Sequence, residues 1–230
     1  MLTSRKAAQQ NRLRIALVFA VASCGMSARA QIYVGALGGV ASISGDARST
    51  LSSVSSAFSS YNPRNGGALA LLAGKHLSDY FTVQGNYIWN ANDMTVAGGT
   101  FTGGTQQGYQ EVRSSSQQSV LANVLVYFRG RDRRLRPYLS VGTGLVHFSS
   151  TQQQVDLSVG GPVLPPRSFS SNMIALNVPV GIDVALEHGW AFRYTFSETI
   201  GRSPIDDHLS PSGQHAFKTF LNLFGFIKSF

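Results

Sequence analysis

The sequence predicts an all-β fold, an eight-stranded antiparallel up-and-down barrel, and three observations carry that expectation. Apolar and polar residues alternate with a period of two in segment after segment beyond residue 30. No apolar run of 18 residues occurs there, so no membrane-crossing helix is expected. The connections between the alternating segments are short and long by turns, as in a barrel whose two ends differ.

The segments fall at about 32–43, 67–76, 80–91, 118–128, 137–149, 172–186, 189–198 and 216–230. Successive side chains of a strand point to opposite faces. In the third segment Phe81, Val83, Tyr87 and Trp89 share one face, and Thr82, Gln84, Asn86 and Asn90 the other. In the sixth, Ile174, Leu176, Val178, Val180, Ile182 and Val184 alternate with Ala175, Asn177, Gly181 and Asp183. In the seventh, Trp190, Phe192, Tyr194 and Phe196 alternate with Ala191, Arg193, Thr195 and Ser197. Short connections lie at Leu77–Asp79, Arg129–Arg136 and Glu187–Gly189. Long ones, rich in Ser, Gly, Gln and Pro, lie at roughly 44–66, 92–117, 150–171 and 199–215.

Alternation does not say which face is outside, because a secreted ligand-binding barrel would turn the same apolar face inward. Aromatics near the strand ends (Phe81 and Trp89, Trp190 and Phe196) match the girdles found at a bilayer's two interfaces. The polar faces carry amides and hydroxyls with few charges, where a water-facing surface holds about 25–35% charged residues. A strand of ~10 residues at ~3.3 Å each, tilted by ~40°, spans about 25 Å. The expected fold is therefore a transmembrane β-barrel, with short turns at one end and long loops at the other.

Composition agrees. The 230 residues are 43% hydrophobic and only 13% charged, about half the usual ~25% for a soluble domain. That argues against a highly charged disordered chain and against an ordinary soluble helical enzyme. A single Cys leaves no internal disulfide and too few thiols for a structural zinc site. The net charge of +8 suggests nucleic acid until it is divided, for five of the 19 basic residues lie in residues 1–30 with no acid among them. The remainder carries 14 − 11 = +3.

Residues 1–30 read as a signal peptide and 31–230 as the barrel domain. Arg5, Lys6, Arg12 and Arg14 form a basic n-region, Ile15 to Ala22 is apolar, and Ala28-Arg29-Ala30 offers a cleavage site. The apolar run falls far short of the ~20 residues of a spanning helix. Val21-Ala22-Ser23-Cys24 also resembles a lipoprotein box, which would lipidate Cys24 in place of cleavage after Ala30.

The sequence ends at Phe230, with Phe226, Phe224 and Phe220 on the same face. This resembles the C-terminal strand signal of bacterial outer-membrane β-barrel proteins. Arg136-Pro137-Tyr138-Leu139 with Gly142 and Gly144, and Asn177-Val178-Pro179-Val180-Gly181, are similar to segments of the same broad family. The resemblance covers residues 31–230 and points to small eight-stranded barrels of the OmpA transmembrane-domain and OmpX type. It implies residence in the outer membrane among phospholipid and lipopolysaccharide, insertion by the barrel-assembly machinery, short periplasmic turns and long extracellular loops. It also makes Phe230, Phe226 and Phe224 the assembly signal. Lys228 departs from the pattern on the lipid side, although a lysine near the interface can snorkel to headgroups. Pro179 lies mid-strand, where a closed barrel has no edge to excuse it, so a bulge or broken ladder bond is expected.

Arg129, Arg131, Arg133, Arg134 and Arg136 surround Asp132 and give +4 in eight residues, expected in a periplasmic turn. Inner-leaflet headgroups or an anionic periplasmic partner would suit that charge, though most exposed charge runs are simply solvated. Nucleic acid is a poor fit, since the run has no interleaved aromatics. His147-Phe148-Ser149 faintly resembles the His-x-Ser-Asn element of barrel lipid A deacylases, but Ser150 replaces the Asn and no acid is placed to orient the base. His76, His147, His188, His208 and His215 are scattered, so neither metal nor other cofactor is expected. Asp206-Asp207-His208 reads as a solvated turn, and the stretch Gly98 to Gly104 lacks the Lys and helix of a phosphate cradle.

One register follows from the hairpin between the sixth and seventh segments. If Leu186 pairs with Trp190, then Glu187-His188-Gly189 forms a three-residue loop, a type I turn closed by left-handed Gly189. Asp183 then faces Arg193 across the lumen, where a lone charge is costly and an ion pair relieves the cost. The functional expectation is a structural, adhesive or ligand-binding barrel acting through its extracellular loops, without catalysis. The alternatives are a lipid A-modifying enzyme and a small pore.

Overall fold

The structure, a computed structural model, describes residues 31–157, 164–213 and 216–230. The signal-peptide expectation, including Cys24 and cleavage after Ala30, lies outside the described residues, as do Pro162 and His215. Among the described residues ten strands form: β1 (Ile32–Ile43), β2 (Asp46–Leu51), β3 (Ser55–Pro63), β4 (Gly66–His76) and β5 (Phe81–Thr102), then β6 (Thr105–Tyr127), β7 (Leu135–Leu157), β8 (Ser168–Ala185), β9 (Trp190–Arg202) and β10 (Ala216–Ser229). Eight of them close an antiparallel ring in the order β1-β4-β5-β6-β7-β8-β9-β10, with β10 pairing back onto β1. Closure leaves no open edge within the bilayer, where unpaired backbone groups would each cost several kcal/mol by the general rule for hydrocarbon (about 2–7).

The outer wall is apolar where the alternation places it. Phe81, Val83, Tyr87 and Trp89 of β5, Val120, Val124 and Val126 of β6, and Leu139, Val141 and Leu145 of β7 are exposed. Ile174 and Leu176 of β8, Tyr194 and Phe196 of β9, and Phe224 and Phe226 of β10 complete the band. Both faces of β10 are apolar in sequence, and packing decides between them. Leu221, Leu223 and Ile227 fill the lumen while Phe224 and Phe226 face out.

Beyond the band the strands do not stop, which corrects the reading of 44–66, 92–117 and 150–171 as loop over most of the first two and over 150–157 and 168–171 of the third. β5 and β6 run on as a hairpin to Gly103 and Gly104, which turn with φ of +57° and +83°. The β2–β3 hairpin pairs along the upper part of β5, from Ser55 opposite Thr102 to Pro63 opposite Met94, where β4 has already ended. A ribbon of ~11 further residues rises roughly 36 Å along its own length at ~3.3 Å each. The extracellular end is thus a pleated sheet continuous with the barrel wall.

At Pro179 the β7–β8 ladder is interrupted. Leu139 pairs with Val180 and Gly142 with Asn177, but the two positions between them are unpaired, and the register on either side is the same. The missing N–H breaks the ladder without a bulge. The other side of β8 is unaffected, with Pro179 opposite Ser197.

Candidate functional site

The lumen is filled in layers. At the periplasmic end Arg193, fully buried, reaches Asp183 with Nε and Nη2, each at 2.6 Å. Its Nη1 donates to Gln84 Oε1 at 2.5 Å and its Nη2 to Tyr127 Oη at 2.8 Å. The Tyr127 hydroxyl donates to Asp183 Oδ2 at 2.8 Å, and that of Tyr33 to Gln84 Oε1 at 2.6 Å. The guanidinium also lies 5.3 Å from the Tyr33 ring centroid and 5.0 Å from that of Tyr138. Room for the last ring is made by Gly181, where a Cβ would sit 2.5 Å from the Tyr138 hydroxyl. Five strands therefore converge on one arginine, and four of its five donors are used.

The register places Asp183 opposite Arg193 and Ala185 opposite Ala191. The turn that sets it differs from the expected one. Leu186 N–H bonds Trp190 O at 2.8 Å, but His188 (φ +58°) and Gly189 (φ +75°) are both left-handed, so the loop is not a type I turn capped by glycine.

Above this layer a mixed core combines Leu37, Leu72, Ile88, Leu121, Leu221 and Leu223 with amides. Asn123 donates to Asn177 Oδ1 at 2.9 Å, Asn177 to Thr199 Oγ1 at 2.8 Å, and Thr219 to Gln117 Oε1 at 3.1 Å. A cavity of about 30 Å³ remains beside Pro179, Ser140 and Asn177, room for about one or two waters. The expected polar lumen is thus half apolar.

The extracellular mouth is closed by a third layer. Ile205 and Leu209, from the loop after β9, pack with Tyr61, Met94, Phe148, Met173 and Phe217. Beside it Arg113 is fully buried, bonded to Glu111 Oε1 at 2.6 Å, Ser150 Oγ at 3.0 Å and the carbonyl of Pro166 at 2.9 Å. This ties the segment leading into β8 over the barrel top. Sequence reasoning missed Glu111 and Arg113. Their i, i+2 spacing is the available signal, since it puts both on the inward face of one strand.

The remaining sequence candidates are dispersed. Asp206 is buried in a short helical turn, Asp207 pairs with Arg202 at 3.1 Å, and the His208 ring lies tilted against that of Phe169, 4.3 Å between centroids. His147 and Ser149 share the outward face of β7, but His147 Nδ1 meets Asn172 Oδ1 at 2.8 Å and Ser149 Oγ meets Ser116 Oγ at 2.9 Å. Asp156 lies further up β7, opposite Gln110. The basic stretch is not uniformly solvated. Arg136 is buried, its guanidinium 3.9 Å from the Tyr127 ring centroid and bonded to the Asp79 carbonyl at 3.0 Å. Phe230 stands exposed at the barrel rim, its N–H bonded to Ile32 O at 2.9 Å. Lys228 donates to the His188 carbonyl and lies over Trp190.

Residues 15–218 match the family described as outer membrane protein beta-barrel domain. No curated protein sequence matches the chain. Among solved structures it is similar to neisserial surface protein A, at 16% identity over 86% of this chain and 97% of that one, with a TM-score of 0.50. It is also similar to the attachment invasion locus protein Ail of Yersinia pestis (12% identity, 87% and 97% covered, TM-score 0.43). The N-terminal β-barrel domain of Pseudomonas aeruginosa OprF is another (12% identity, 87% and 97% covered, TM-score 0.38). The first of these likenesses shows the shared barrel fold. With the closed ring, the apolar outer band and the family match, the chain belongs to the outer membrane protein β-barrel family and resides in the bacterial outer membrane.

Proposed function

We propose that this barrel is a non-catalytic binding or adhesive protein whose working surface is the extracellular sheet. The observation that supports this most is an apolar patch on the outward face of that sheet, above the membrane band. Phe58 lies opposite Gly99, and Ser56 opposite both Leu51 and Phe101, so Leu51, Phe58 and Phe101 share one face. They are 85%, 49% and 50% exposed. Grouped apolar side chains facing water mark interaction sites. The patch stands beside β2, the end strand of the sheet, whose backbone can accept an added strand.

Cells displaying the barrel should adhere to an octyl-coated surface, a probe for the apolar patch, better than cells lacking it. The triple variant Leu51→Ser, Phe58→Ser, Phe101→Ser, displayed at equal amounts, should lose the gain. Equal adhesion by barrel-free cells contradicts the reading. Maturation by cleavage after Ala30 belongs to the same proposal, as does assembly through the barrel-assembly machinery. N-terminal sequencing of the exported protein should begin at Gln31, and a lipidated species starting at Cys24 would contradict it.

A second reading, lipid A modification, is favoured by one contact, the His147–Asn172 bond that orients an imidazole two residues from Ser149. Against it, the Ser149 hydroxyl bonds Ser116 rather than a base. Mass spectrometry of lipid A should show unchanged acylation, and a Ser149-dependent loss of an acyl chain would establish the enzyme.

A further inference from the structure

We propose that the turn between β6 and β7 binds the phosphate of anionic phospholipids in the inner leaflet of the outer membrane. Five arginines and one aspartate occupy residues 129–136, and they divide into two sets. Arg131 and Arg136 are engaged internally. Arg131 bonds the Ser78 carbonyl at 3.0 Å and lies 3.6 Å from Asp79, and Arg136 bonds the Asp79 carbonyl. These two hold the β4–β5 turn against the β6–β7 turn and make the surface rigid.

The other three are available. Among the described residues, the Arg133 side chain makes only a solvent-exposed pair with Asp132, at 3.1 Å. Arg129 and Arg134 form no salt bridge among the described residues. Tyr80, Arg129, Gly130, Asp132 and Arg133 line an open depression of about 610 Å³. A planar guanidinium matches phosphate oxygens two at a time, and a phenol adds a further donor.

Position selects a lipid rather than a soluble anion. The apolar band reaches its periplasmic limit at Phe81, Val126 and Phe128, all exposed, with Phe81 opposite Val126 across the β5–β6 ladder. Tyr80 directly precedes β5, and Arg129 follows Phe128 just past the end of β6. Acyl chains lying on the rings of Phe81 and Phe128 bring their phosphate to the depth of the depression. The turn carries +4 while the rest of residues 31–230 sums to −1, so the charge is concentrated where headgroups lie.

The test uses the folded barrel in mixed micelles of phosphatidylglycerol and phosphatidylcholine, with native mass spectrometry counting retained lipid. A basic side chain at an anionic surface contributes roughly fivefold in affinity. The protein should therefore retain phosphatidylglycerol over phosphatidylcholine by at least about tenfold. The triple variant Arg129→Gln, Arg133→Gln, Arg134→Gln should lose that preference while keeping heat-modifiable gel mobility. Arg129→Gln alone, which removes one lining side chain, should weaken the preference several-fold and covers the case in which the triple variant does not fold. Equal retention of the two lipids, or a preference unchanged by these variants, overturns the proposal. Displacement of the retained lipid by inorganic phosphate at equal concentration overturns the lipid as source. Binding to purified peptidoglycan that is lost in the triple variant, with lipid preference intact, overturns it in favour of a different partner.

Discussion

Arg193 and Asp183 face each other across the β8–β9 ladder and meet through two parallel hydrogen bonds of 2.6 Å in a site closed to solvent. A buried pair of this kind contributes little over a well-packed apolar pair, but losing one partner strands the other. Asp183→Ala should destabilise the barrel by about 3–5 kcal/mol. The double variant with Arg193→Ala should recover part of the loss, and urea unfolding in detergent followed by Trp fluorescence measures the coupling. Additive effects would mean that the two side chains do not interact.

Pro179 removes an N–H that the β7–β8 ladder could use, and the positions opposite, Ser140 and Val141, are unpaired. Pro179→Ala restores that donor. It should raise stability by about 0.5–1.5 kcal/mol, the net worth of one hydrogen bond, and slow hydrogen exchange in the middle of β7. Faster exchange there would show that proline is favoured at this position for another reason.

The eight ring segments were legible because the bilayer demands an apolar outer face, and that demand writes a period-two pattern. The same demand ends at the headgroups, which explains what was not legible. Above Trp89 and Gln118 the outward face of β5 and β6 is mostly small or polar, and the inward face mixes Met94, Val96 and Tyr109 with Asn90, Asn92 and Ser115, so the strands continue without a steady contrast to reveal them. The facing of Asp183 and Arg193 could be argued from one hairpin. Gln84, Tyr33 and Tyr127, which complete that cluster, arrive from strands 56–160 positions away in sequence, and only barrel closure sets their meeting. The turn at His188 eluded the sequence because a left-handed histidine is uncommon and has no local signature.

The extracellular core should loosen in alkali. Burial is the main reason that the Tyr61 phenol is pushed up to about 12, with Asp46 adding to it. A raised folded-state value means the stabilisation is complete below the unfolded value of about 10 and is lost as pH rises through 12. Limited proteolysis of the β2–β3 hairpin should therefore accelerate between pH ~10 and ~12, and Tyr61→Phe should remove part of that acceleration. An identical pH profile in the variant would assign the loosening to other groups, such as Tyr109.

Phe230 is exposed on the outer rim and its N–H closes the β10–β1 seam at Ile32. Deleting it should lower the yield of heat-modifiable barrel in the outer membrane and raise periplasmic aggregate, with little effect on molecules already folded. Unchanged insertion would remove the residue from assembly.

The ring is closed and its lumen filled, and the proposed binding therefore lies on the exposed surfaces rather than in transport through the lumen. Single-molecule conductance in planar bilayers tests it most directly. The filled lumen, with Arg193 at one end and Ile205 and Leu209 at the other, predicts no long-lived steps of open-porin size. Stable steps of that size from the purified, heat-modifiable protein would contradict the account.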